Sequence, residues 1–307
     1  MPQEHSNSVL SEIDEIIARA MAEYAESRGM DLSDFDDTTT DVSAEVTESA
    51  PEPIPEETVP DQIPENSPSI LVEETTSRFS DAIWYNNVMS KHVVLAGLGG
   101  IGSYVAFLLG RLHVAILDMY DDDRVEEANM SGQLYNRNDC GIAKTAAMQY
   151  MLSNYASYYN AYSREMRFTD ETPPRNIMIC GFDSMESRRV FYHSWKGLVA
   201  SLPENEKKTC LFIDGRLAAE NFQVLCITGD DTASMVRYES DFLFSDDEAD
   251  ETICSYKQTT FMANMIGSII VNLFVNFCAN ECDPLIPRDL PFLTEYSADT
   301  MYFKTVA

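Results

Sequence analysis

The sequence predicts an α/β fold in which a mostly parallel, Rossmann-like sheet is flanked by helices. Residues 93–96 (Val-Val-Leu-Ala) form an unbroken apolar run, which is typical of a buried parallel strand. A glycine-rich turn and then an apolar segment with helical spacing follow this run. A second apolar run at residues 114–117 predicts the next strand, and strands that alternate with helices favour a parallel sheet.

The turn after the first predicted strand has the pattern G-x-G-x-x-G. Gly97 allows a tight turn, Gly99 lets the backbone approach a phosphate, and Gly102 lets the helix pack close to the strand. The helix predicted over residues 103–109 directs its free N–H groups and the positive end of its dipole at that phosphate. We therefore predict a nucleotide site at this turn, Gly100 included. The alternative is a glycine turn that binds nothing.

An acidic residue follows the second predicted strand. Asp118 lies 21 residues after Gly97, close to the ~20 residues expected for an acid that binds a ribose hydroxyl. This arrangement predicts a nucleotide site, but it does not distinguish a dehydrogenase from an ATP-dependent enzyme.

The segment from Asp118 to Met148 separates these two classes. It contains D-x-D-x-V-E, then an asparagine, a glutamine and D-x-G-x-x-K, and a later block contains D-x-x-x-x-R. The sequence resembles the ThiF/MoeB/HesA family, the ubiquitin-activating-type adenylyltransferases, over roughly residues 78–279. The matching residues are Asp121, Asp123, Val125, Glu126, Asn129, Gln133, Asp139, Gly141, Lys144, Asp183 and Arg188.

The resemblance implies ATP-dependent adenylation of a carboxylate, usually the C-terminal glycine of a ubiquitin-like or sulfur-carrier-like small protein. It implies that Lys144 binds phosphate oxygens, that Asn129 and Gln133 donate to the phosphates, and that Asp183 binds Mg²⁺, an ion that prefers oxygen ligands. The alternative for Lys144 is a solvated helix lysine. Turn and cap roles are the alternative for Asn129 and Gln133.

The ribose ligand stays open at this point. The resemblance implies either Asp118 or Asp121, because the segment Asp-Met-Tyr-Asp-Asp-Asp can be aligned in two ways, and Asp123 lies beside them. Arg188 is expected to form a structural ion pair instead of binding the ligand.

Two arginines of the family pattern are missing. Gly132 occupies the position of one. Asp81 occupies the position of the second, in a segment that retains Arg78. In the family, this segment acts across a dimer. Each missing guanidinium removes a bidentate phosphate contact. Arg216 is a possible substitute, although an ion pair with Asp214 or Glu220 is expected for it.

Residues 1–76 are predicted to form a largely disordered acidic arm, and residues 77–307 the adenylation domain. The arm carries 20 acidic residues, two arginines and no lysine, a composition typical of disorder. A short amphipathic helix is predicted within it at about residues 11–28. The net charge of −30 argues against nucleic acid and membrane partners. The seven cysteines are expected to be reduced in a cytoplasmic protein.

Three of the cysteines lie at positions where a functional site can be expected. Cys254 precedes a predicted helix and is a candidate nucleophile that could receive the activated carboxylate as a thioester. The alternative is an unreactive cysteine at the same place. Cys278 and Cys282 are spaced C-x-x-x-C without a second pair, so no zinc is expected.

Three further segments carry predictions. Residues 77–91 are expected to form one amphipathic helix, and residues 229–253 a long acidic loop. Residues 261–279 are long enough to cross a membrane, but their asparagines favour a buried helix, with a dimer interface as one possible place.

The resemblance implies an ATP-dependent adenylyltransferase that acts on a small carrier protein and forms a homodimer. Two alternatives remain. The first is a catalytically weak relative that serves as a binding subunit, which the missing arginines motivate. The second is an NAD-dependent oxidoreductase, which leaves Asn129, Gln133, Lys144 and Asp183 without a role.

Overall fold

A computed structural model describes residues 76–244 and 259–307. The predicted arm, apart from residue 76, and Cys254 lie outside the described residues, as does the second part of the predicted acidic loop. The boundary near residue 77 stays a prediction.

The described residues form eight strands, seven α-helices and two short 3₁₀ turns. The strands are β1 His92–Ala96, β2 Ile116–Tyr120, β3 Ala161–Arg164, β4 Ile177–Cys180, β5 Leu211–Ala218, β6 Asn221–Thr228, β7 Leu293–Ser297 and β8 Tyr302–Val306. The helices are α1 Tyr85–Val88, α2 Gly100–Leu112, α3 Lys144–Ala156, α4 Met185–Ser201, α5 Glu204–Lys207, α6 Thr232–Asp241 and α7 Thr260–Cys282. The 3₁₀ turns are Glu127–Ser131 and Arg137–Asp139.

All eight strands belong to one sheet, in the order β3-β2-β1-β4-β5-β6-β7-β8. The first five in this order run parallel, and β6 to β8 extend the sheet as antiparallel strands. This confirms the predicted fold class. The antiparallel extension lies beyond the strands from which the sequence predicted a nucleotide site.

Helices cover both faces of the sheet. On one face α7 packs against α2, β5 and β6, while on the other α4 packs against β4 and β5. Trp195 of α4 is fully buried in the core. The most apolar 18-residue stretch of α7 has a mean hydropathy of 1.7, which would suffice for a membrane span by composition. However, 56% of this stretch is buried inside the protein. It is therefore a core helix within this fold.

Three predicted elements were wrong in extent or type. The second strand covers Ile116–Tyr120 instead of residues 114–117, because α2 ends in a left-handed residue, His113, and the chain turns before the strand begins. Residues 77–91 contain turns and only the four-residue helix α1. Their packing relies on aromatic contacts, with the Phe79 and Tyr85 ring centroids 5.3 Å apart.

The acidic segment after β6 contains a helix where the sequence predicted only a loop. Asp231 caps the N-terminus of α6 by accepting a hydrogen bond from the Ser234 N–H at 3.0 Å. Tyr238 of the same helix is fully buried and its ring lies 4.6 Å from that of Tyr192, centroid to centroid. One capping residue and one buried face therefore stabilise a helix within a strongly charged segment.

Candidate active site

A cavity of about 1840 Å³ lies at the carboxyl ends of β1, β2, β4 and β5. Ligands of open α/β sheets bind at this edge, and most small-molecule pockets measure roughly 300–1,000 Å³. The cavity is therefore large enough for a nucleotide together with part of a second substrate. The candidate residues that line it are Gly97, Gly99, Gly100, Asp121, Asp123, Asn129, Gln133, Lys144 and Asp183.

The glycine turn has the close packing that its sequence pattern predicts. Gly97 has a φ of +84°, and a Cβ there would lie 2.7 Å from the backbone of Gly181, in the loop that follows β4. A Cβ at Gly102 would lie 1.8 Å from the Gly97 carbonyl oxygen. In contrast, a Cβ at Gly99 would meet only the Gln133 amide, at 4.0 Å. The first and third glycines thus let β1, β4 and α2 meet, while the second faces the cavity.

The Gly97→Ala variant is expected to be less stable than the Gly141→Ala variant. Both glycines have a left-handed φ, but no atom lies within 4 Å of a Cβ at Gly141. Gly141→Ala should therefore lower the free energy of unfolding only by the cost of a left-handed φ, about 1–2 kcal/mol. Gly97→Ala should lower it by about 1–3 kcal/mol more, because its Cβ would be overpacked against Gly181. Chemical denaturation of both variants measures the difference, and equal losses would contradict the packing argument.

Asp121 holds the glycine turn in place. Its carboxylate accepts hydrogen bonds from the Leu98 N–H at 2.6 Å and from the Asp123 N–H at 2.8 Å. Burial is the main cause that raises the pKa of this carboxyl group. Asp121 directly follows β2 and lines the cavity, so it occupies the position expected of a ribose ligand.

Asp118 does not occupy the position predicted for it. It lies in the middle of β2 and is outside the cavity lining, because the strand begins and ends later than predicted. Its carboxylate binds His92 at 2.6 Å on β1 and Arg164 at 2.9 Å on β3. Burial alone would raise the pKa of Asp118, but the hydrogen bonds with His92 and Arg164 outweigh it and lower the pKa. Asp118 therefore links three strands and is removed from the candidate ribose ligands.

Lys144 is the first residue of α3 and is 6% exposed. Its ammonium group donates a hydrogen bond to Asp123 at 2.7 Å, and its backbone N–H donates to the Asp123 carbonyl oxygen at 3.0 Å. The Asp123 side chain is 66% exposed. Lys144 is thus not a solvated helix lysine. Its charged group is buried beside the cavity, whereas its anionic partner, Asp123, is exposed to solvent.

Asn129 and Gln133 lie on the wall that faces the glycine turn. The side-chain oxygen of Asn129 (Oδ1) caps its own 3₁₀ turn by accepting from the Glu126 N–H at 2.9 Å, which is the cap role given above as the alternative. The Gln133 side-chain oxygen is buried and has no hydrogen-bond partner within the described part of the chain. Because an unpaired buried acceptor costs about 1–3 kcal/mol, this amide is suited to a hydrogen bond from a ligand or to a flipped orientation that donates to one.

Asp183 follows β4, is exposed and lines the cavity. Oxygen atoms of Asp121, Asp122 and Asp123, in the segment that follows β2, lie within 4.8 Å of one another. These three carboxylates already accept hydrogen bonds from the backbone, from Arg167 and from Lys144 respectively. Asp183 is therefore the carboxylate best placed to hold a Mg²⁺ ion together with ligand oxygens.

Arg188 and Arg216 both bind the buried Asp214 carboxylate. Arg188 also donates to the backbone carbonyls of Phe182 and Gly215. Arg216 approaches Asp214 at 2.8 Å and donates to the Phe242 carbonyl oxygen at 2.9 Å. This confirms the structural ion pair expected for Arg188 and the Asp214 pair expected for Arg216.

The described cysteines fall into two groups. Burial raises the pKa of Cys180 to about 12, of Cys210 to about 11 and of Cys226 to about 12, which disfavours the reactive thiolate form of these residues. Cys140, in contrast, is exposed. It lies in the loop just after the second 3₁₀ turn, which ends at Asp139.

Sequence reasoning missed the part of the cavity wall formed by the loop after β3 and by the antiparallel strands. Arg167 and Phe168 come from that loop, and Glu295, Ser297 and Tyr302 come from β7 and β8. No spacing pattern marks these residues. Only the sheet order brings them to the edge that carries the glycine turn.

Comparison with known proteins gives a family match across most of the chain. The model of the ThiF family matches residues 75–306. Among curated proteins, ubiquitin-like modifier-activating enzyme 5 of Drosophila erecta is 28% identical over 123 residues, which are 34% of this chain and 30% of that enzyme. The matched stretch thus covers less than a third of this relative.

Solved structures share the fold at low identity. PaaA, solved as its selenomethionine form, has a TM-score of 0.57 and 14% identity, with 99% of this chain and 86% of PaaA covered. E. coli MccB, solved with ATP, has a TM-score of 0.51 and 14% identity, with 73% of this chain and 65% of MccB covered.

Proposed function

The chain belongs to the ThiF family, and from this premise we propose that it binds ATP in its cavity and adenylates a carboxylate. A substrate carboxylate oxygen attacks the α-phosphorus of ATP, the bond to the β-phosphate oxygen breaks, and pyrophosphate leaves. The products are an acyl-adenylate and pyrophosphate. Negative charge is redistributed over the phosphate oxygens in this step, so the site must supply donors and cations held in place.

One observation carries the proposal: a buried lysine, an unpaired amide oxygen and a glycine turn face one cavity. Lys144 would donate to phosphate oxygens in place of Asp123, and Asn129 and Gln133 would donate through their amide groups. Asp121 would bind the ribose, and the N-terminus of α2 would face the phosphates. Mg²⁺ bound at Asp183 would neutralise part of the phosphate charge.

The carboxylate is proposed to be the C-terminal glycine of a ubiquitin-like or sulfur-carrier-like protein. The name of the Drosophila relative supports this class, as does the cavity volume, which exceeds what a nucleotide alone requires. A cytoplasmic homodimer without zinc, nucleic acid or membrane partners completes the proposal. We place the boundary between the acidic N-terminal arm and the adenylation domain near residue 77. Cys254 is retained as a candidate acceptor for a thioester.

A catalytically weak binding subunit is the second candidate. The observation that favours it is the absence of arginine at Gly132 and Asp81. Such a protein would bind ATP and a partner without releasing pyrophosphate at a useful rate.

ATP–pyrophosphate exchange tests the proposal. We expect exchange that depends on an added small protein ending in glycine, and we expect Asp183→Asn to lower it about a hundredfold by weakening the Mg²⁺ site. Asp170→Asn, at another exposed acid of the cavity wall, is the matched control for a lost negative charge. ATP binding without exchange would favour the binding subunit, and a preference for NAD over ATP would overturn both.

A further inference from the structure

Arg167 is the exposed cation of the cavity wall. It lies in the loop after β3, and its side chain is 76% exposed. Its guanidinium donates one hydrogen bond to the Asp122 carboxylate at 2.7 Å, and the Asp122 side chain is 43% exposed. Exposed pairs of this kind are typically weak, so the guanidinium can exchange partners readily.

The other cations of the cavity wall in the described residues are largely buried, and each already binds a carboxylate. Arg188 is 5% exposed and Arg216 has 14% of its side chain exposed, and both are bound to Asp214. Lys144 is 6% exposed and is bound to Asp123. Within residues 76–244 and 259–307, seven carboxylates and only four cations, Arg167 included, line the cavity. Carboxylates thus outnumber cations in the cavity wall. To bind a triphosphate, the wall must therefore provide a cation that can leave its carboxylate partner.

The surroundings of Arg167 include the predicted phosphate region. The hydrogen bond and charge of Asp122, followed by the charges of Asp123 and Asp183, raise the pKa of Arg167. Asp123 is the partner of Lys144, and Asp183 is the proposed Mg²⁺ ligand. The geometry agrees, because Arg167 lines the same cavity as Lys144 and Asp183 and binds Asp122, the residue directly before Asp123.

We infer that Arg167 binds the triphosphate of ATP and that Asp122 competes with the phosphates for its guanidinium. The inference rests on the proposed function. Arginine binds phosphate oxygens through strong, often bidentate, charge-assisted hydrogen bonds. A triphosphate carries more charge than the Asp122 carboxylate and is held by several groups at once, so it displaces Asp122 from Arg167.

This arrangement predicts opposite effects from the two halves of one ion pair. Arg167→Gln should weaken ATP binding about tenfold, because it removes a charge-assisted phosphate contact. Asp122→Asn should tighten ATP binding by about threefold, because it removes the competing anion. Adenosine, which has no phosphates, should bind equally to both variants and to the wild type. A purely structural ion pair would make both substitutions act in the same direction.

The experiment measures the Kd of Mg²⁺–ATP and of adenosine for the full chain at low ionic strength. Arg124→Gln is the matched control, since Arg124 forms an exposed pair with Glu165 at 2.5 Å and lies outside the cavity lining. We expect it to leave both values unchanged. The double variant Arg167→Gln/Asp122→Asn completes a cycle in which the gain from Asp122→Asn should disappear.

The outcomes separate the inference from the proposed function. Wild-type binding of ATP together with unchanged binding by Arg167→Gln would overturn the inference alone. A gain from Asp122→Asn that persists in the double variant would show a general field effect and would overturn the competition. Wild-type protein that binds no ATP would overturn the proposed function as well.

Discussion

Replacing Lys144 by alanine is expected to lower ATP–pyrophosphate exchange by about a hundredfold, the scale on which loss of one preorganised donor to a developing anion acts. Lys144 is buried at the N-terminus of α3, where its ammonium group is held 2.7 Å from Asp123 beside the cavity. Its position is therefore set before the substrate arrives. The alanine variant should still bind adenosine, because the groups proposed to hold the nucleoside are unchanged.

The fold is expected to survive this substitution. Alanine is favourable in a helix, and Asp123 loses its partner at little cost because 66% of its side chain is exposed. Circular dichroism and thermal denaturation verify this. Lys196→Ala is the matched control. Lys196 forms a partly exposed ion pair with Glu239, with an N···O distance of 2.5 Å, and neither residue lines the cavity.

A lysine-to-arginine substitution at the same position sharpens the test. Arginine keeps the charge but is larger and planar, and it does not fit the space of a buried ammonium group. Lys144→Arg should therefore recover only a small part of the exchange rate. Full exchange by Lys144→Ala would contradict the role proposed for this residue.

The parts of the site that the sequence predicted depend on local geometry. The glycine turn requires Gly97 and Gly102 because a Cβ at either position would overlap the backbone of a neighbouring element. Lys144 begins a helix whose first turn faces the cavity. Its distance along the chain from the glycine turn therefore predicts that it belongs to the site. The glycine turn and Lys144 are recognisable from the spacing of residues along the chain, which a single sequence is sufficient to show.

The features that the sequence did not predict depend on contacts between distant segments. Asp118 was interpreted as a strand end, but its partners His92 and Arg164 lie 26 and 46 residues away and became visible only with the strand order. Arg167 follows no pattern and reaches the cavity through the loop after β3. The antiparallel strands β6 to β8 likewise add wall residues that no motif marks.

Asp214 is the residue whose loss is expected to destabilise the fold most. It lies on β5 with no exposed surface and accepts from Arg188, from Arg216 and from the Tyr238 hydroxyl at 2.9 Å. Asp214→Asn keeps the side-chain shape but leaves two largely buried guanidinium groups without their counterion. Breaking a buried pair in this way costs about 3–5 kcal/mol, which for a domain of this size corresponds to a Tm about 10 °C lower.

Tyr238→Phe is the matched control for this variant. It removes only one neutral donor from the same carboxylate and should cost about 1 kcal/mol. Chemical denaturation compares the two, and a loss of less than about 1 kcal/mol for Asp214→Asn would contradict the argument. A double variant, Asp214→Asn/Arg188→Met, should recover part of the stability because it removes one uncompensated charge.

The same network connects stability to the site. Arg188 on α4 donates to the carbonyl oxygen of Phe182, the residue before Asp183. Arg216 stacks on Phe244, an aromatic residue of the cavity wall, with its guanidinium carbon 5.7 Å from the ring centroid. Loss of the Asp214 charge therefore loosens the loop that positions Asp183 together with the aromatic wall of the cavity. We expect Asp214→Asn to lose Mg²⁺-dependent ATP binding at temperatures below its own Tm, whereas Tyr238→Phe should retain that binding up to its Tm.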